Sequence, residues 1–445
     1  MTIGDGNAAS FSGPVVDGSA SSVQTPERAS AVAWAALISA MFGWMFDSMD
    51  LNIFTLILFP SVSQLIGSTD PADVAHVGGI IAGVKLFAWG VGGIFFGVVA
   101  DRIGRSLTMI ITVLIYSIFT GLSGLAQNWW QLAILQAFAS IGIGGEWAAG
   151  AALVAETWPE KTRARALQVM QLSFAIGFFL AALVNLYIGP IGWRWVLVTG
   201  AAPAIITLFI RQFVPEPERW RRVRDQRRRS GIEGRADTAT ATFLAIFSSR
   251  LRRRTIVGVL IATTMMIGSF STLNLVPVWL HQLLGPGQEK LALQHTSQIF
   301  MIMNVGALLG YLCLIWLTGA VGRRWSYFLI ALGCAASIIF TFTQITTVDG
   351  LKAISVVLGF FLIGGYGTFA AYLPELFPTR VRTTGQGFCW NMSRVVAGAG
   401  PLATGMLVGA FGSLQLAAVS IIWIYLIGLT AIWFGPETKG VPLED

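Results

Sequence analysis

A handful of ionisable residues stand isolated in apolar stretches, and their types could hold an anion and carry a proton. Asp47 and Asp50 are three residues apart, so a helix places both carboxyls on one face. Held close in a low-dielectric setting they cannot both ionise easily, which suits a proton carrier; otherwise one of them caps a helix break or pairs with a neighbouring helix. Glu146, among Gly142, Gly144, Gly145, Ala148 and Ala149, is either a third titrating carboxyl or a hydrogen-bonded group between packed helices. Arg394, near Gln386, Trp390 and Asn391, offers a guanidinium that can grip a substrate carboxylate bidentately, or that pairs with Glu146 or Asp47 instead. Lys85 either snorkels to the outer surface or adds a second cation to the same cavity. Further cavity walls are expected from Gln168, Gln171, Trp147, Tyr366, Ser271 and Asn274, with packing as the alternative for the aromatic residues.

The elements that position these groups are membrane helices. Of the 445 residues 55% are hydrophobic and only 11% charged, against about 25% charged in soluble domains; the mean hydropathy is +0.70. Charges cluster between apolar runs, each of about 20 residues or more, the length a helix needs to cross the hydrocarbon. Twelve spans are expected, at 32–59, 76–100, 107–127, 129–155, 165–188, 194–213, 255–281, 294–318, 325–346, 350–373, 383–408 and 412–434. A charge at mid-bilayer costs about 2.5–3.5 kcal/mol, so each one inside a span is a functional candidate. Counted along the helix, Glu146 lies about 15 Å from Glu156, Arg394 about 18 Å from Arg382, and Lys85 about 24 Å from Asp101.

The loops after even-numbered spans and the two tails hold most of the 29 lysines and arginines, whereas the opposite loops hold only Arg194, Lys290 and Lys352. Both termini are therefore expected in the cytoplasm, and the net charge of +7 reads as topology rather than nucleic-acid binding. Residues 1–30 read as a disordered tail without a signal-peptide pattern. The arginine-rich stretch 214–254 reads as a linker of one or two amphipathic helices on an anionic leaflet, or as a solvated tether. It separates expected six-helix bundles at 31–213 and 255–434, with a cytoplasmic tail at 435–445. Landmarks recur across it at nearly constant offset: Gly104-Arg105 and Gly322-Arg323 at 218, Glu156 with Arg163 and Glu375 with Arg382 at 219, Pro215-Glu216 and Pro436-Glu437 at 221. Two bundles from one repeat, with a cavity between them, explain this. Cys313, Cys334 and Cys389 are too dispersed for a disulfide framework, and His76, His281 and His295 lack metal spacing. No Walker loop is present, so neither a cofactor nor ATP-driven transport is expected.

Gly97-Val98-Val99-Ala100-Asp101-Arg102-Ile103-Gly104-Arg105-Ser106 resembles the G-x-x-x-D-R-x-G-R-[RK] loop between helices 2 and 3 of the major facilitator superfamily. Asp101 is expected to cap the next helix and to pair with Arg102 or Arg105, while Gly97 and Gly104 permit close approach and a tight turn. Pro374 to Gly385 looks like the loop 10–11 sequence of sugar porters, aromatic-acid:proton symporters and sialic-acid transporters, and Pro436-Glu437-Thr438-Lys439-Gly440 like the sugar-porter ending. Gly144-Gly145-Glu146-Trp147 is similar to a segment of metabolite:proton and sialic-acid symporters, and Asp47-Ser48-Met49-Asp50 to the D-G-x-D of the aromatic-acid branch. The resemblance covers residues 30 to 440. There are two departures. Gly319 and Ala320 replace Asp101 and Arg102 in the second half, and Gln136 and Ser140 stand where many proton-coupled members carry an Arg followed by a Gly.

The resulting expectation is an all-α polytopic membrane protein of twelve transmembrane helices in two pseudo-symmetric six-helix bundles, in an inner or plasma membrane. Its expected work is proton-coupled symport of a small organic anion, an aromatic or hydroxylated carboxylate or a sugar acid, by alternating access, with no enzymatic chemistry. A neutral sugar or polyol, or a receptor that moves nothing, are the alternatives. Asp47, Asp50 and Glu146 are the proton-coupling candidates. Arg394, Asn391, Trp390, Lys85, Gln168, Gln171, Trp147, Tyr366 and Asn274 are the substrate candidates. Asp101, Arg102, Arg105, Glu156, Arg163, Glu375 and Arg382 are the gating candidates, Glu156 and Glu375 being expected to latch each half beside Arg163 and Arg382.

Overall fold

The computed structural model describes residues 29–202, 214–229, 238–285, 288–397, 411 and 413–444. Ten helices among the described residues are long and apolar enough to cross a membrane. In the first half these are α1 (Ala31–Ile66), α2 (Pro71–Ile103), α3 (Arg105–Ser123), α4 (Trp129–Thr157) and α5 (Arg163–Ile188), followed by the short α6 (Trp193–Thr199). The remainder of the expected sixth span, 203–213, lies outside the described residues, as do residues 1–28 and 398–408 of the expected eleventh span.

Local chemistry sets the helix ends. The Ser30 hydroxyl accepts from the Ala33 N–H at 3.1 Å and starts α1, and Gly67 at φ 68° closes it in the left-handed conformation favoured by glycine. Pro71 opens α2, where its missing N–H has no partner to lose. Two short helices occupy the linker, α7 (Glu218–Arg229) and α8 (Ala239–Ala245). The second half runs α9 (Arg252–Leu284), α10 (Glu289–Ala320), α11 (Arg323–Gln344), α12 (Val348–Leu358), α13 (Gly367–Glu375), α14 (Arg382–Ala397), α15 (Leu414–Ser420) and α16 (Ile422–Ala431). α12 and α13 form one span, joined by a π turn at Gly359–Ile363 and a 3-10 turn at Gly364–Tyr366. Such irregular turns inside a helix often mark functional positions, and this one delivers Tyr366.

α1 packs on α5 and α4 lies between α2 and α3, while in the second half α9 packs on α14 and α16. Between the halves, α2 lies along α14 and α5 along α10 and α13. Large apolar side chains cover the outside, among them Phe87, Trp316 and Trp423, at 62%, 68% and 71% exposure. Only a hydrocarbon solvent makes such a surface stable.

Candidate functional site

Polar side chains gather in two layers. The first lies at the face where the basic linker and both ends of the second half meet. Gly104 separates α2 from α3 at φ 116°, and a methyl group there would collide with the Glu216 carboxylate. That carboxylate accepts the Arg105 and Leu107 N–H groups at 2.8 and 3.0 Å and so caps α3. The repeat does the same: Gly322 is at φ 90°, and Glu437 accepts from Arg323 and Arg324 N–H at 2.9 and 3.1 Å. Burial alone would raise the Glu437 carboxyl, but the backbone donors outweigh it and hold it below its ordinary value. The Pro-Glu landmarks are thus reciprocal helix caps.

Asp101 does not cap the next helix, as expected from the sequence, because it still lies within α2. Its carboxylate reaches across to the other half, accepting from the N–H groups of Thr383 and Thr384 at 3.2 and 2.7 Å and capping α14. It also pairs with Arg105 at 3.0 Å, whereas Arg102 is exposed. Arg105 contacts Glu156 at 2.9 Å and donates to the Thr379 carbonyl at 2.7 Å. Glu156 takes Arg382 at 2.7 Å. Glu156 therefore bonds Arg105 within its own half and also bridges to Arg382 of the other half. Sequence neighbours are not the partners: Glu375 pairs with Arg323 at 2.9 Å, and the Nε of buried Arg163 has no hydrogen-bond partner among the described residues. α7 and the tail are sewn to this face, with Trp220 donating to the Asp101 carbonyl and Arg382 and Thr379 to the Glu444 carbonyl.

The second layer lies further along the helices, away from that face, and again draws on both halves. Arg394, on α14, is 4% exposed and donates to the Asn391 side chain at 2.9 Å. Its guanidinium sits 4.1 Å from the Trp89 ring centroid and 4.8 Å from that of Trp390. No carboxylate among the described residues lies within the 4.0 Å of an ion pair, so the sequence alternative of permanent pairing with Glu146 or Asp47 is not what the structure shows. Trp390 stacks on Trp147 at 4.8 Å across the halves and stands edge-on to Tyr366 at 5.6 Å. The indole N–H of Trp147 donates to Gln171 at 3.0 Å, while those of Trp390 and Trp44 are buried with no partner among the described residues. Gln168 donates to the Gly367 carbonyl at 2.7 Å, another link between halves.

The first half brings the carboxyls. Asp47 interacts electrostatically with Glu146, Asp50 and Arg394. All four carboxyl oxygens of Asp47 and Asp50 are buried without a hydrogen-bond partner among the described residues. Glu146 accepts from the Thr112 hydroxyl at 2.8 Å and presses on α1 where Gly43, with no side chain, leaves room for it. Gly43 and Asp47 are four residues apart, so Glu146 lies one turn from Asp47. Lys85 does not snorkel outward: it is 5% exposed, donates to Gln136 and lies 3.9 Å over the Phe54 ring. Asn274 is set apart, exposed and bonded to the Phe270 carbonyl of its own helix at 2.8 Å, while Ser271 beside it is buried. Trp89, Trp44 and Thr112 were not anticipated from the sequence. The only available signal was the four-residue spacing of Trp89 from Lys85. No group of three or more potential metal ligands occurs among the described residues, and the three cysteines are free thiols.

This chain belongs to the Major Facilitator Superfamily, which it matches over residues 29–401. A Haemophilus influenzae protein bearing the general name "metabolite transport protein" is 31% identical, over 92% of this chain and 98% of its own. The cis,cis-muconate transport protein of Acinetobacter baylyi is 28% identical, over 92% and 96%. Among solved structures, the proton:xylose symporter XylE bound to 6-bromo-6-deoxy-D-glucose shares the fold at a TM-score of 0.73 and 20% identity, covering 94% of this chain and 98% of that one. The protein is a membrane-spanning transporter of a small molecule, not an enzyme.

Proposed function

We propose that the protein is a proton-coupled symporter of a small organic anion, an aromatic or hydroxylated carboxylate or a sugar acid, in an inner or plasma membrane with both termini cytoplasmic. The observation that carries this is Arg394, a buried guanidinium held between two indoles and, among the described residues, without a carboxylate in ion-pair contact. A desolvated, always-charged group is costly to leave unpaired, and a substrate carboxylate completes it bidentately. The flanking Trp147, Trp390 and Tyr366 suit a flat, unsaturated or hydroxylated ligand, and the Trp390 indole N–H, without a partner among the described residues, suits one of its oxygens. A neutral sugar would leave the guanidinium without a carboxylate in direct contact. Kinship with a cis,cis-muconate transport protein supports the carboxylate.

In this reading the proton travels on Asp47, Asp50 and Glu146, of which Asp47 interacts with Arg394 across the seam. Protonating a carboxyl there offsets the charge that the substrate brings, so both are moved together. The bundles rock about this layer, and the latch of Asp101, Arg105, Glu156 and Arg382 holds the cytoplasmic side shut. Uptake of benzoate, cis,cis-muconate and N-acetylneuraminate into proteoliposomes tests the reading. An inward proton gradient should drive accumulation of one of these acids, and Arg394→Ala should abolish it. Undiminished uptake in Arg394→Ala, or indifference to the gradient, would refute it.

A further inference from the structure

Lys85 occupies a setting that the substrate site does not account for. It lies in the middle of α2, buried, and its ammonium meets two groups of the first half, the Gln136 side-chain oxygen on α4 and the Phe54 ring on α1. Gln136 is itself fixed by donating to the Ser123 hydroxyl on α3 at 3.1 Å. These partners are neutral. An amide dipole and an aromatic face solvate an ammonium without cancelling its charge.

Phe54, under the ammonium, is one helical turn from Asp50 on α1, so the Lys85 and Asp50 charges lie near each other and act on each other. Both Asp50 oxygens are buried without a hydrogen-bond partner among the described residues. The other polar groups around this pair are Asp47 on α1, Tyr116 and Thr120 on α3, and Glu146 on α4. The structure thus holds an ammonium parked on neutral groups close to a buried carboxyl that has no ion-pair partner among the described residues and only the Thr120 hydroxyl beside it.

We propose that Lys85 is the internal counter-ion of Asp50 and, through it, a coupling residue. This rests on the proton-symport reading above. When Asp50 is ionised, the ammonium swings onto its carboxylate; when a proton from the outer aqueous phase occupies that carboxyl, the ammonium rests on Gln136 and Phe54 as here. The proton leaves to the cytoplasm when Lys85 returns. Without the ammonium, an ionised Asp50 would be an uncompensated charge in hydrocarbon, so the carboxyl would keep its proton throughout and the gradient would no longer drive the cycle. Lys85 is thereby a positioning residue for the proton and makes no contact with substrate.

Lys85→Met in proteoliposomes tests this, with whichever of the three acids the wild type accumulates. Accumulation driven by a proton gradient should fall about tenfold or more, to simple equilibration, while exchange of internal for external acid without a gradient should stay within about threefold of wild type. Lys85→Met combined with Gln136→Lys, which returns an ammonium to the same contact from α4, should restore gradient-driven accumulation, and Lys85→Arg should retain it. The proposal is overturned if Lys85→Met accumulates like wild type, or if accumulation and exchange vanish together without rescue by the second substitution. A wild type that ignores the proton gradient would instead remove the symport reading itself.

Discussion

Replacing Glu156 by Gln keeps the side chain's shape and removes its charge. Of its two partners, Arg105 belongs to the same half and keeps Asp101 at 3.0 Å, whereas the 2.7 Å contact to Arg382 crosses between halves. Only the second is lost when the bundles part, because the first travels with its own half. A charge-assisted hydrogen bond contributes about 1.5–3 kcal/mol, and about 1.4 kcal/mol is a factor of ten. Glu156→Gln should therefore move the closed-to-open ratio of this face toward open by roughly 10- to 100-fold. Closure still finds support in the Asp101 bonds to α14 and the Arg105 bond to Thr379, so the closed form weakens without disappearing. Spin labels at Leu107 and Trp325, exposed in the first turns of α3 and α11, report the opening as a longer distance in double electron–electron resonance. Glu375→Gln, whose partners Arg323 and Thr438 lie in its own half, is the control and should leave the distribution nearly unchanged. Identical distributions for Glu156→Gln and wild type would refute the latch.

Gly104→Ala places a side chain where φ is 116° and the Glu216 carboxylate already sits, so it should cost about 1–3 kcal/mol and lower the thermal midpoint of the purified protein. Gly67→Ala, at φ 68° but with open space around it, should cost less. Glu444 carries a pH dependence: a hydrogen bond from Arg254, with the Arg254 and Arg250 charges, holds its carboxyl below the ordinary 4.5. Its folded value is depressed, so the hold on the tail is complete above the ordinary range and lost as pH falls through the lowered value. The hydrogen-exchange protection factors of residues 438–444 should be high at neutral pH and fall as pH drops through the lowered value of the carboxyl; Glu444→Gln should show the reduced protection already at neutral pH.

Much of the architecture was readable because lipid imposes a simple rule on composition: the apolar runs, the basic face and the repeated landmarks all follow from it. The partners at the latch were not readable. Asp101, Glu156 and Arg382 meet only because α2 and α4 of one half abut α14 of the other, a juxtaposition that sequence proximity to Arg102 or Arg163 does not encode. The sequence left Lys85 open between the outer surface and the interior, for a geometric reason. Measuring upward from Asp101 allowed either, but α2 begins at Pro71, and a helix of 33 residues is about 50 Å long. The residue therefore falls in its middle. Trp89 went unnoticed because an indole in an apolar run looks like packing until a guanidinium is seen beside it. The Pro-Glu repeat was visible as a pattern, yet its role as a cap appeared only with the glycines at positive φ.

The central claim is that Arg394 receives a substrate carboxylate, and calorimetry on the purified transporter with matched acids and amides, benzoate against benzamide first, tests it most directly. The wild type should prefer the acid by about tenfold or more, the worth of a charge-assisted pair, and Arg394→Met should bind acid and amide alike. An acid preference that survives in Arg394→Met, or a wild type that favours the amide, would contradict it.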